Sequence, residues 1–99
     1  ADVCIGAHAI INTRASIDHD CVIGDFASIA PGATLGGNVS VGRGSAVCLG
    51  ASVIHRTAVG AHSVIGAGSV VLSDVPALVV AYGAPCRVVR PREAADAYL

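Results

Sequence analysis

Aliphatic side chains recur at every sixth residue along most of this chain, and the phase does not break between Ile5 and Val71. The residues are Ile5, Ile11, Ile17, Ile23, Ile29, Leu35, Val41, Val47, Val53, Val59, Ile65 and Val71. Four residues after each of them comes a small side chain, such as Ala9, Cys21 or Ser45. One bulky branched place and one small place per hexad predict short strands separated by corners, and this β-branched composition disfavours helix.

Self-similarity at a six-residue period is typical of a hexapeptide β-helix. In the hexapeptide proteins that this rhythm resembles, three hexads form one triangular coil, the coils wind left-handed, and residues eighteen apart stack in columns. Adjacent coils are then about 4.8 Å apart, the ordinary spacing of paired strands. The resemblance predicts an all-β fold, a left-handed parallel β-helix of about four to five coils with a short C-terminal tail.

The rhythm loosens after Val71, which places the end of the repeat in the last quarter of the chain. We expect one last extended segment over 77–82, and we expect Pro85 and Pro91 to stop regular pairing after it. The predicted β-helix domain is 1–90. The predicted tail is 91–99, where Pro91 and three alanines favour a short helix.

Composition narrows the classes of partner. The formal net charge is -1, there is no Lys, and the only aromatic residues are Phe26, Tyr82 and Tyr98, so we expect no nucleic-acid partner. No apolar run is long enough for a membrane helix, and no charged start with an apolar block marks a signal peptide, so we expect a cytoplasmic protein without a membrane partner. Since the chain begins at Ala1 in mid-hexad, we expect it to be cut from something longer.

The cysteine spacing suggests neither a zinc knuckle nor a disulfide framework. Cys21 occupies a small inward place of its hexad, and we expect it to fill the core.

Counted in hexads, the four histidines fall at corner positions and form two columns. His19 and His55 share one column with Gly37 between them, whereas His8 and His62 share the other. His19 lies between Asp18 and Asp20, which can orient an imidazole and raise its basicity. We expect Gly37, one coil above, to leave a pocket and a free N–H, so that the group suits acyl transfer. The alternative is a solvated corner histidine between two turn-forming aspartates.

Parts of the sequence resemble the β-helix domain of bacterial sugar acyltransferases of the sialic-acid O-acetyltransferase and bacillosamine N-acetyltransferase type. The resemblance is carried by residues 17–26, 29–33 and 36–39 in the first half, and by residues 65–71 and 82–87 in the second half. This resemblance implies transfer of an acetyl group from acetyl-CoA to an amine or hydroxyl of a sugar or nucleotide sugar, with no metal. It also implies a homotrimer whose active sites lie between neighbouring β-helices. The family's N-terminal acceptor-binding domain has no counterpart in this sequence.

The resemblance also assigns roles to residues. His19 matches the general base and Asp20 the acid that supports it, while Gly37 matches an amide that contacts the thioester. Leu49 and Ala67, in one column with Pro31 and Pro85, match the lining of the pantetheine and adenine channel, and Arg87 stands where the family's Lys meets the phosphates. Ser28 replaces a second histidine of the family, so a hydrogen bond to acetyl-CoA is altered or lost.

Two other functions remain open. In β-helical carbonic anhydrases two histidine ligands stand thirty-six residues apart, as His19 and His55 do, but the third ligand's place is Gly60, and His62 lies two residues beyond it. Three protein ligands are usual for a catalytic zinc site. The other possibility is a trimeric scaffold without catalysis.

Overall fold

The computed structural model describes residues 2–93, and this part of the chain is an all-β solenoid of about four coils, the left-handed parallel β-helix that the resemblance implies. The strands are β1 Cys4–Ile5, β2 Ile10–Ile11, β3 Ser16–Ile17, β4 Val22–Ile23, β5 Ser28–Ile29, β6 Thr34–Leu35, β7 Ser40–Val41, β8 Ala46–Val47, β9 Ser52–Val53, β10 Ala58–Val59, β11 Val64–Ile65, β12 Val70–Val71, β13 Val79–Tyr82 and β14 Arg87–Pro91. Residues 2–93 contain no helix, and therefore no helical segment that could cross a membrane.

The strands form three sheets that are the three walls of the solenoid, and all their pairs are parallel except the pair of β13 and β14. The first sheet has the order β1-β4-β7-β10, the middle sheet β14-β13-β11-β8-β5-β2, and the third sheet β12-β9-β6-β3. Partners along the parallel ladders are eighteen residues apart, as in Ile5↔Ile23 and Ile23↔Val41. The expected triangular coil of three hexads is confirmed.

The core is built from the two inward places of each hexad. The aliphatic residues from Ile23 to Val71 and the small residues from Cys21 to Val75 are buried. Cys21 is fully buried and its Sγ donates to the Gly36 carbonyl at 3.1 Å, which confirms its place in the core. Ile5 and Ile11 hold the same lattice places in the first coil but are 52% and 36% exposed.

Two buried serines add a polar column to this core. Ser45 Oγ donates to the Gly60 carbonyl at 2.5 Å and accepts the Ser63 N–H at 2.9 Å. Ser63 Oγ donates to the Pro76 carbonyl at 2.6 Å and accepts the Val79 N–H at 3.3 Å. Each hydroxyl therefore joins one coil to the next from inside the solenoid, and its polarity is satisfied where water cannot reach.

Every corner of the regular coils has the same backbone conformation. The fourth place of each hexad, from His8 to Gly68, has φ between 54° and 73°, a left-handed region that favours Gly, Asn and Asp. The N–H of this residue donates to the carbonyl of the third-place residue one coil earlier, as Asn38 does to His19 at 2.9 Å. Corner residues are therefore held in stacked columns by hydrogen bonds as well as by the strands.

Glycine follows each inward aliphatic residue of the first sheet, and the next coil packs close against it. A Cβ added to Gly42 would lie 2.5 Å from the Ala61 backbone nitrogen of the next coil. Because backbone atoms there cannot move aside without breaking the ladder, the glycine in this place is a packing requirement.

The last coil departs from the lattice. Val64 pairs with Val80 and Ile65 with Ala81, an offset of sixteen residues rather than eighteen. The extended segment expected over 77–82 is present as β13. The expectation that regular pairing stops at Pro85 was wrong, because β14 pairs antiparallel with β13 and its last residue, Pro91, lies opposite Val79. An edge strand tolerates proline, since a missing N–H costs nothing on the unpaired side.

The short helix is predicted in the tail 91–99. Pro91 is instead the last residue of β14, residues 92–93 are not helical, and residues 94–99 lie outside the described part of the chain.

Candidate active site at the His19 corner

The corner between the third and first sheets carries His19, Gly37 and His55 in successive coils, and we call it the His19 corner. Its chain segments are 18–20, 36–38 and 54–56. The stacking is confirmed by two hydrogen bonds, from the Asn38 N–H to the His19 carbonyl and from the Arg56 N–H to the Gly37 carbonyl, both 2.9 Å.

The two aspartates beside His19 have different partners. Asp20 Oδ2 lies 3.1 Å from His19 Nδ1, and because a carboxylate accepts, Nδ1–H is the donor; in the neutral imidazole the lone pair is then on Nε2. Asp18 Oδ1 instead accepts the backbone N–H of His19 at 2.7 Å. Asp20 thus orients the imidazole and Asp18 holds the backbone. The side chains of His19 and Asp20 are about half exposed, 51% and 47%, so the pair is open to a substrate.

Gly37 is needed for the position of the His19 ring. A Cβ added to Gly37 would lie 2.6 Å from both Cε1 and Nε2 of His19 and 3.2 Å from its Cδ2. The imidazole fills the space directly over Gly37, and the pocket expected at this glycine opens beside the ring. Gly37 is buried, and within residues 2–93 no residue accepts its N–H.

The pocket of this corner lies beside the ring, against the outer face of the third sheet. Its volume is about 570 Å³. Asp18 and His19 line one end, Gly36 and Gly37 the floor, and His55 with Arg56 the other end; Thr34, Ser52, Val70, Ile54 and Leu72 form the wall. Hydroxyls and apolar side chains beside a base suit a small polar molecule that carries an apolar arm.

The remaining candidate residues lie elsewhere on the chain. Leu49 and Ala67 stack at the corner between the middle and third sheets, where the Gly68 N–H donates to the Leu49 carbonyl at 2.8 Å, and Leu49 is 60% exposed. Ser28 is in β5 and Arg87 begins β14, both on the middle sheet. A single chain therefore brings His19, Asp20 and Gly37 together, but none of Ser28, Leu49, Ala67 or Arg87 lines their pocket.

Pro85 does not continue the column of Leu49 and Ala67 as expected. The sixteen-residue offset of the last coil pairs Ile65 with Ala81, so the same count carries Ala67 to Gly83. Cys86 instead lies near the end of the third sheet, where its N–H donates to the Val70 carbonyl at 2.8 Å.

The corner between the first and middle sheets carries a charged aromatic cluster that the sequence analysis did not assign. The His8 ring stacks on Phe26 at 5.1 Å between centroids, and the Arg43 guanidinium lies 4.8 Å over the same ring. Arg43 also approaches Asp25 at 3.5 Å. The column that contains His8 and Phe26 was the available signal, since stacked places eighteen residues apart bring large side chains into contact.

The histidines do not assemble into a metal site within residues 2–93. His62 is at a different corner from His19 and His55, and a Cβ on Gly44 would lie 2.5 Å from its Nδ1, so its ring packs over that glycine. No group of three or more His, Cys, Asp and Glu side chains in the described residues is placed to hold an ion.

Burial affects two of the four free thiols. Desolvation raises the pKa of Cys48 above its ordinary value. Desolvation also raises the pKa of Cys86, an effect that a hydrogen bond with Ser69 partly offsets. Both thiols are therefore poor nucleophiles at neutral pH.

Comparison with known proteins agrees with the repeat and the fold. Residues 2–37 match the family described as bacterial transferase hexapeptide (six repeats). A comparison with curated protein sequences gave no match.

Among solved structures, PerB from Caulobacter crescentus in complex with CoA and GDP-perosamine is 44% identical with a TM-score of 0.89, over 90% of this chain and 43% of that one. The acetyltransferase domain of PglB from Neisseria gonorrhoeae in complex with acetyl coenzyme A is 33% identical with a TM-score of 0.78, over 88% of this chain and 45% of that one. Serine acetyltransferase from the same species is 30% identical with a TM-score of 0.87, over 92% of this chain and 39% of that one. The chain thus spans less than half the length of each of these proteins, and over that length its hexapeptide repeat and its β-helix are similar to those of bacterial hexapeptide-repeat acetyltransferases.

Proposed function

We propose that this chain is the β-helix of an acetyl-CoA-dependent acetyltransferase that acts on an amine or hydroxyl of a nucleotide sugar. The observation that carries the proposal is the His19 corner, where Asp20 fixes the tautomer of His19 and the unpaired Gly37 N–H lies at the next coil. The likeness to PerB, solved with CoA and GDP-perosamine, supports the choice of an amino-sugar nucleotide as acceptor. A cytoplasmic location stays a prediction.

The chain's residues supply base and oxyanion donor to this reaction. His19 Nε2 accepts the proton of the attacking amine or hydroxyl as the new N–C or O–C bond forms. It returns that proton to the sulfur when the C–S bond of the thioester breaks. The Gly37 N–H donates to the oxygen on which negative charge develops. A fixed backbone donor of this kind lowers the activation barrier of acyl transfer by about 3 kcal/mol.

We also propose that the complete site forms between copies in a homotrimer. The base lies at the His19 corner, whereas Leu49 and Ala67 lie at another corner and Ser28 and Arg87 on the middle sheet. A second copy can bring its Leu49 corner against the first copy's His19 corner, as rotational symmetry allows. Arg87 then offers a rigid guanidinium to the phosphates of CoA.

The first test is binding and turnover. Calorimetry should detect acetyl-CoA binding, and release of the CoA thiol with GDP-perosamine as acceptor should fall at least a hundredfold in His19→Ala, which leaves binding intact. Failure to bind acetyl-CoA would leave a non-catalytic scaffold as the better description. Unchanged turnover in His19→Ala would show that the base is a different group.

The second test addresses the shared site. His19→Ala and Leu49→Asp should each be inactive, and a refolded equal mixture should regain activity at about a quarter of the sites, because random mixing pairs an intact base with an intact channel at that frequency. A mixture as inactive as its components would contradict a site formed between copies.

A further inference from the structure

The pocket at the His19 corner has ends of opposite charge. Asp18 and His19, with Asp20 beside them, form one end, whereas His55 and Arg56 form the other. Gly36, Gly37 and Asn38 lie between the two ends. The candidate base and a guanidinium therefore belong to opposite ends of one pocket.

The Arg56 side chain has no partner in the described part of the chain. Arg43 approaches Asp25 and Phe26, Arg90 Nη1 donates to the Pro91 carbonyl, and Arg92 Nη1 donates to the His62 carbonyl at 2.8 Å. Within residues 2–93, the only hydrogen bond of Arg56 is the one from its backbone N–H to the Gly37 carbonyl, which any residue except proline would make.

The backbone at Arg56 does not favour arginine. Its φ is 60°, in the left-handed region where Gly, Asn or Asp would be less strained. The same corner in the two preceding coils holds Asp20 and Asn38, with φ of 57° and 59°. Arg14, Phe26 and His62 have a similar φ at other corners, so the backbone alone does not distinguish Arg56. What distinguishes it is a cation at the rim of a pocket without a partner in residues 2–93, which indicates a ligand for that cation.

His55 adds donors at the same end. Its side chain lines the pocket, and no residue in 2–93 accepts its backbone N–H. A guanidinium, an imidazole and a free amide together suit an oxyanion such as a phosphate or carboxylate.

We propose that Arg56, assisted by His55, is a subsite for an anionic group of the acceptor, a phosphate or a carboxylate; this rests on the proposed function. Two coil spacings, about 10 Å, separate the backbones of His19 and His55. This suits a molecule in which one sugar ring separates the acetylated amine or hydroxyl from the anion. The phosphates of CoA lie a whole pantetheine arm from the thioester, too far to reach this end while the acetyl group is at His19.

The test compares Arg56→Gln with Arg14→Gln. Arg14 is the matched control, since it is exposed, has φ of 62° at another corner, and does not line the pocket. Calorimetric dissociation constants would be measured for GDP-perosamine, for N-acetylneuraminate as the carboxylate probe, for perosamine, which has no phosphate, and for acetyl-CoA. Arg56→Lys tests how far charge alone restores binding.

The protein is expected to bind either GDP-perosamine or N-acetylneuraminate. We expect Arg56→Gln to raise the dissociation constant of that ligand by roughly ten- to a hundredfold, which is the effect of losing a hydrogen bond to a charged group. The affinities for perosamine and acetyl-CoA should stay within about twofold, as should all affinities of Arg14→Gln. The probe that loses affinity identifies the anion.

Several outcomes would overturn the subsite. These are equal effects of the two glutamine variants, a loss confined to acetyl-CoA, and no binding of either anionic probe by the unaltered chain. The proposed function fails separately, if no acetyl transfer occurs while Arg56-dependent anion binding persists. Normal transfer with an acceptor KM unmoved by Arg56→Gln would refute the subsite alone.

Discussion

Gly37→Ala is the substitution that tests most directly how the His19 ring is positioned. The new Cβ would lie 2.6 Å from Cε1 and Nε2 of His19. Carbon atoms in contact prefer separations of about 3.5 Å or more, so the ring must move by about 1 Å. The obstructing atoms are the end of a half-exposed side chain, and Gly37 has no positive φ, so the backbone can stay in place.

The expected result is a loss of catalysis without a loss of fold. A displacement of about 1 Å in a catalytic group can cost roughly a hundredfold in rate, and we expect kcat to fall by about that factor. The free energy of unfolding should change by less than about 1 kcal/mol, because no buried contact is broken. Steady-state release of the CoA thiol and denaturant unfolding measure the two quantities.

Gly32→Ala is the matched control, with the opposite signature. Its Cβ would meet nothing nearer than 3.9 Å, but φ is 73°, so a side chain is strained there. We expect a loss of about 1–2 kcal/mol in stability with kcat unchanged.

A double-mutant cycle separates ring displacement from other effects. In the His19→Ala background, Gly37→Ala should cost nothing further in rate, since no imidazole is left to displace. A further hundredfold loss in that background, or full activity of Gly37→Ala in the native background, would refute the reasoning.

Three further predictions follow from other contacts. Asp20→Asn should lower kcat about ten- to a hundredfold by releasing the His19 tautomer, with stability unchanged because the pair is half exposed; an equal loss of stability would argue for a structural role. Ser63→Ala should cost about 2 kcal/mol in denaturant unfolding and leave kcat alone, since it strips two buried groups of their hydroxyl partner; a neutral result would mean that water replaces it. Burial raises the pKa of Cys48 above its ordinary value, so the protonated thiol favours the folded state and this stability is lost as the pH rises through the alkaline range. The Tm difference between pH 8 and pH 10 should therefore be smaller in Cys48→Ser. An identical difference would contradict the assignment.

The sequence predicted the regular coils because a strict period is a geometric statement. Each inward place has one size class, so an error of one residue would turn aliphatic side chains to solvent and polar ones to the core. The register Ile23↔Val41, the columns at the corners and the contact between His19 and Asp20 all follow from that phase.

What the period could not predict are features that depend on side-chain direction and on the end of the repeat. The lattice placed Gly37 above His19 but did not show that the ring turns over it, because the rotamer is chosen by packing. Arg56 carried no signal until the pocket showed what lies beside it. The antiparallel strand β14 was missed because Pro85 before it and Pro91 at its end indicated a stop, whereas an edge strand accommodates Pro91 opposite Val79.

The sixteen-residue offset of the last coil also bears on how long such a solenoid can grow. A parallel ladder with a constant repeat has no intrinsic length, because each finished coil offers a template for another coil or for a foreign strand. Here the step from Val64 to Val80 is two residues short, and the following strand reverses direction against β13. A further coil in phase with the others has no parallel partner strand on the middle sheet. The shortened turn therefore stops the addition of coils at the C-terminal end of the solenoid.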